Sequence, residues 1–141
     1  DTAAVGQRPD RLDFYEGCQG GILVPGGEQW YAVRIPGPGP GWQSEVVGTA
    51  TTFVAGLDLA LWLFADCGPE ATCLGFFDDG LGGEAESFTL EHQGTDTLTV
   101  YLGVDCFVAP SDSLSGSFVL DFATTVPVES RRLGDVRSLF R

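Results

Sequence analysis

Leu57-Asp58-Leu59-Ala60-Leu61-Trp62-Leu63-Phe64-Ala65-Asp66-Cys67 decides the fold of this 141-residue chain. The leucines recur with a period of two, so all four lie on one face of an extended strand. The other face carries Ala60, Trp62 and Phe64, so both sides are apolar and both need covering. Working outward, residues 30–35 alternate and residues 46–54 are rich in β-branched side chains. Phe88 and Leu90 alternate with polar neighbours, as do Leu98, Val100, Leu102 and Val104, then Phe118, Leu120 and Phe122. Turns punctuate these runs: Pro36-Gly37-Pro38-Gly39-Pro40-Gly41, Asp78-Asp79-Gly80, Gly94-Thr95-Asp96 and Pro110-Ser111-Asp112. Seven or eight short strands with this spacing predict an all-β fold, a two-sheet antiparallel β-sandwich that is jelly-roll-like. Leu59, Leu61, Leu63, Leu98, Val100, Leu102, Phe118 and Leu120 are expected to line its core.

The length suits one domain. Composition is 43% hydrophobic and 19% charged with 20 Gly and 8 Pro, which describes a turn-rich folded domain rather than a disordered tail. Twenty acidic residues against seven basic ones give a net charge of −13. That balance repels phosphate backbones and anionic lipid, so nucleic acid is excluded as a partner. Lys, Met and Asn are missing altogether, the bias of a GC-rich and bacterial coding sequence. The missing Met also leads us to expect that the chain begins after a processing event. No apolar run of about 18 residues occurs, so no membrane span is expected. The expectation is a mature secreted protein, extracellular or at the cell surface.

Four cysteines, Cys18, Cys67, Cys73 and Cys106, fit that compartment, and no accompanying cluster completes a tetrahedral zinc site. Cys67 and Cys73 bracket a short turn-like loop, Gly68-Pro69-Glu70-Ala71-Thr72, which favours a Cys67–Cys73 bridge and leaves Cys18 with Cys106. In the chain-entropy model the long closure is worth about 4 kcal/mol and the short one about 2. The alternative is buried thiols in a cytosolic protein.

The stretch from Leu57 to Phe122, read as LDLALWLFADC, CLGFFDDGLGGEAESFTL, GTDTLTVYLGVD and SGSFVLDF, resembles the bacterial pre-peptidase C-terminal (PPC) domain. Gly26-Gly27-Glu28-Gln29-Trp30-Tyr31-Ala32-Val33 is similar to the first strand of that family. The resemblance covers about residues 18–123 and divides the chain into an N-terminal arm (1–17), a PPC-like sandwich (18–123) and a basic C-terminal tail (124–141). Asp96-Thr97-Leu98 stands where the family has paired aromatics. What the resemblance implies is a non-catalytic module of secreted enzymes that assists secretion, adhesion or substrate binding. Some members hold calcium.

Asp78, Asp79, Glu84 and Glu86 lie within nine residues and are the candidate metal ligands. Calcium takes six to eight oxygens, and Gly80, Gly82 and Gly83 would let carbonyls turn inward. The spacing does not follow the EF-hand pattern, and a solvated acidic hairpin loop is the competing reading. No other cofactor is expected. His92 stands beside Glu91 and near Asp96, but no nucleophile or oxyanion site accompanies it, so it reads as a structural or surface His, no catalytic residue is named and no enzyme is expected. Trp42, in a Gly/Pro-rich loop, and Trp62 would form a sugar-binding platform or a protein contact if exposed, and core if buried.

The two ends carry a different signal. In the arm, Leu12 and Phe14 make a short apolar strand. In the tail, Ser130 would cap a short helix with Leu133, Val136, Leu139 and Phe140 on one side. Arg131, Arg132, Arg137 and Arg141 give the last eleven residues a net +3, while the other 130 carry −16. Such asymmetry points to a tail that docks on an acidic surface, in the same chain or in a neighbour. If the neighbour is a second copy, the contact is head-to-tail, and one that does not close makes a filament. Two functions follow. One is a secreted, non-catalytic structural protein that self-assembles through its terminal segments into a homo-oligomer or polymer, an extracellular filament or surface layer. The other is a carbohydrate- or protein-binding accessory module of a secreted enzyme system.

Overall fold

A computed structural model describes residues 2–5, 18, 24, 26, 28–66, 71–107 and 116–125. Eight strands are formed: β1 (Thr2–Val5), β2 (Gln29–Ile35), β3 (Gly39–Thr52), β4 (Leu59–Phe64), β5 (Cys73–Phe77), β6 (Glu86–Gly94), β7 (Leu98–Cys106) and β8 (Gly116–Thr125). No helix occurs among the described residues. One sheet runs β1-β8-β3-β6 and the other β2-β7-β4-β5, every pair antiparallel. This interleaving of first with last and second with second-last strands is the jelly-roll arrangement. The first four described residues of the arm therefore belong to the sandwich as an edge strand, and β8 runs two residues beyond the expected end of the domain. The residues on which a tail helix is expected, 130–141, lie outside the described residues.

The leucine-lined strand sits where two apolar faces are needed. β4 is paired on both sides, by β7 and β5, and all six of its residues are buried. Leu59, Leu61 and Leu63 face the other sheet and meet Val100, Leu102, Phe118 and Leu120, with Leu98 packed at the margin. Phe88 joins them from β6 because Gly48, on the neighbouring strand β3, lacks the Cβ that would strike its ring. Full burial of side chains of this size stabilises by roughly 1.5 to 3 kcal/mol each.

Trp62 lies on the opposite face, fully buried in a second cluster with Ala60, Phe64 and Phe76. Its ring centroid is 4.4 Å from that of Phe76. Cys18 and Val24, which precede β2, cover this cluster and form a lid over the outer face. A disulfide fixes the lid: Cys18 is bridged to Cys73, with the Cα atoms 5.6 Å apart.

That bridge replaces both expected pairings, Cys67–Cys73 and Cys18–Cys106. Cys73 is opposite Phe64 and shares its outer face, where Cys18 lies. Cys106 is opposite Leu59 and is buried in the inner core. Cys18 and Cys106 are thus on different faces, at opposite ends of a strand about 17 Å long, too far to bridge. Cys67 lies outside the described residues.

Candidate functional site

The registers sort the loops into two ends. The segment after β3 (53–58) and the turn between β5 and β6 (78–85) share one end. The entry to β3, the exit of β6 at Gly94 and the exit of β8 at Thr125 share the other.

The first end is acidic. Glu86 opens β6 with its side chain buried, because its carboxylate is committed to the turn before it. It accepts hydrogen bonds from the N–H groups of Asp79 at 2.9 Å and Gly80 at 2.6 Å. Glu84 accepts in the same way from Leu81 at 2.9 Å. The Gly83 N–H donates to the Leu57 carbonyl at 2.8 Å, which ties the turn to the segment after β3 and brings Asp58 into the group. Burial, and then Asp58, Glu86 and Asp79, push the Asp78 carboxyl up to about 6. Asp58 is raised as well, by burial and then by Glu84.

Among the described residues no three His, Cys, Asp or Glu side chains are placed to hold an ion, Asp78, Asp79, Glu84 and Glu86 included. Glu84 and Glu86 accept instead from backbone N–H groups of their own turn.

The same end exposes two large apolar side chains, Phe53 at 79% and Leu81 at 76%. Neither was singled out from the sequence. Phe53 read as the continuation of a β-branched strand that in fact stops at Thr52. Leu81 was legible in principle, because an apolar residue between Gly80 and Gly82-Gly83 has no strand to bury it.

The second end is uncharged at its centre. Gly41, Trp42, Gln43, Gln93 and Gly94 line an open cleft of about 390 Å³. A register shift between Gly39 and Gln43 breaks the β3–β6 ladder beside the half-buried Trp42. Gln43 and Gln93 face each other across the ladder, and Gln93 Nε2 donates to Gln43 Oε1 at 3.1 Å. His92 Nε2 lies 2.7 Å from the Asp96 carbonyl, which can only accept, so the ring donates and pins the β6–β7 turn. Only register brings the two glutamines together, and no sequence signal named them.

Of the expected assembly residues, Leu12, Phe14, Arg131, Arg132, Leu133, Val136, Arg137, Leu139, Phe140 and Arg141 all lie outside the described residues. The described structure supplies the acidic end and the point at which the tail leaves. No helix among the described residues is long and apolar enough to cross a membrane. Compared with known families and curated proteins, the chain matches no family model and no curated protein.

Proposed function

We propose that this is a secreted, non-catalytic structural protein whose copies polymerise head to tail, the basic tail of one docking on the acidic end of the next. What carries the reading is an acidic end on one side of the sandwich and, on the other, the strand end from which a basic sequence continues. The acidic end presents Asp58, Asp78, Asp79 and Glu84 together with two exposed apolar side chains, Phe53 and Leu81, while Glu86 is buried in the turn. β8 ends at Thr125 at the other end, about 30 Å away by the length of that ten-residue strand, and residues 126–141 follow it in sequence. They combine four arginines with Leu133, Val136, Leu139 and Phe140. Arginine matches the carboxylates and the apolar residues match Phe53 and Leu81. Burying those two alone would contribute about 3 to 6 kcal/mol before ordering costs. A contact joining different surfaces at opposite ends propagates.

The PPC resemblance suits this reading, since it describes the sandwich as a non-catalytic extracellular module, and the Cys18–Cys73 bridge suits an oxidising compartment. The N-terminal arm has a smaller part. β1 already pairs with β8 of its own sandwich, so deleting residues 1–17 would uncover a sheet edge as well as remove Leu12 and Phe14.

The test is electron microscopy and light scattering on the full chain, a chain lacking residues 130–141, and a Phe53→Ser/Leu81→Ser variant. The full chain should polymerise, and the other two should be folded monomers. Mixing the two monomeric forms should give dimers and nothing longer, because one retains only the docking end and the other only the tail. A full chain that is monomeric at high concentration, or a tail deletion that still polymerises, overturns the proposal.

A further inference from the structure

The cleft at the entry of β3 is independent of the assembly surfaces and has a chemistry of its own. Its five lining residues carry no ionisable group, in a protein of net charge −13. Its walls are one half-buried indole and two exposed carboxamides. Gly41 and Gly94 both hold positive φ, 76° and 95°, and a Cβ added to either would meet nothing within 4 Å. The backbone there is exposed directly to the cleft.

The hydrogen bond from Gln93 to Gln43 sets what the amides offer a ligand. With Gln93 Nε2 donating to Gln43 Oε1, both protons of Gln43 Nε2 remain to donate and Gln93 Oε1 remains to accept. A donor and an acceptor held side by side match adjacent hydroxyls, each of which accepts and donates. Beside them stands a rigid indole, which supplies contact area at low entropic cost. Glu45 and Glu91, opposed two positions further along the same face, would repel an anionic ligand, and a purely apolar one would leave the amides unpaired. The volume lies at the small end of ligand sites, suited to one or two rings.

We infer that this cleft binds a neutral glycan, one pyranose ring stacked on Trp42 with its hydroxyls hydrogen-bonded to Gln43 and Gln93. A sugar presenting an apolar face to the indole and equatorial hydroxyls to the amides fits best. Acidic glycans are disfavoured by the field of the whole molecule. Bound in this way, each copy would carry one attachment point to a polysaccharide surface.

Calorimetric titration of the full chain with cellohexaose, chitohexaose and laminarihexaose tests the site, with oligogalacturonate as the anionic counterpart. At least one neutral oligosaccharide should bind saturably and oligogalacturonate should not. Trp42→Ala should weaken binding at least about tenfold, Trp42→Phe should restore part of it, and Gln93→Ala should weaken it by roughly tenfold. Trp30→Ala serves as the control, since Trp30 is exposed on the other sheet, and should bind as the parent does. Absence of binding by all three neutral probes, preference for oligogalacturonate, or unchanged affinity in Trp42→Ala overturns the inference. Polymerisation is read separately, so failure here leaves the head-to-tail proposal standing, and the reverse holds too.

Discussion

Asp78 shows how the acidic end is balanced. Its carboxyl titrates near 6 instead of its ordinary 3.8, first because it is partly buried and then because Asp58, Glu86 and Asp79 surround it. Between those two values the folded chain holds more of this proton than the unfolded chain does. Its stability contribution is therefore least favourable above 6 and improves as pH falls toward about 4. Asp78→Asn should accordingly raise the melting temperature at pH 7, and the gain should shrink as the pH is lowered through 6. Thermal melts across that range check it, with Asp121→Asn on the exposed face of β8 as the comparison. Identical melting of Asp78→Asn and the parent at pH 7 would refute the account. Glu86 accepts from two backbone N–H groups of the same turn and so ties that turn to the start of β6.

At the scale of elements, the Cys18–Cys73 bridge is the feature that sequence spacing misjudged. It closes a separation of 55 residues, worth about 4 kcal/mol in the chain-entropy model. Peptide mapping without reductant should recover one peptide joining Cys18 to Cys73 and none joining Cys67 to Cys73. Removing the bridge with Cys18→Ala/Cys73→Ala should loosen the lid over Trp62 and lower stability by up to that amount. Strand identity and core membership were legible because period-two alternation reports which face a residue takes. Seven of the eight expected core residues are buried and Leu98 packs against them. The pairing of cysteines was not legible, because it depends on which strand end each one reaches, and that is a property of register. The same holds for Gln43 and Gln93, fifty positions apart yet directly opposed. The acidic cluster was legible as a cluster, but not the commitment of Glu84 and Glu86 to their own turn.

For the whole molecule, a net charge of −13 means that copies repel one another, and in the proposed assembly this is offset only where a tail would meet an acidic end. Added salt screens both effects, so salt dependence of the parent alone does not separate them. Replacing Arg131, Arg132, Arg137 and Arg141 by Gln should raise the concentration needed for polymerisation at low salt. That gap should narrow near 1 M, where the screening length falls to about 3 Å. A gap that does not change with salt would assign the arginines a packing role instead of an electrostatic one.

The interleaved strand order also governs how quickly the chain reaches this structure. Of the six ladders only β4–β5 joins consecutive strands, and every other one closes a loop spanning at least one intervening strand. Loop-closure entropy is spent before those ladders stabilise anything, which places folding in the millisecond-to-second range typical of such topologies. The β4–β5 hairpin, with Trp62 against Phe76 on one face and the leucines on the other, is the natural nucleus. β1 and β8, neighbours in space and at opposite ends of the described chain, complete their pairing last. Until then the edge of β8 stays open to a strand from another molecule, which makes the late steps of folding the interval in which chains would exchange β1.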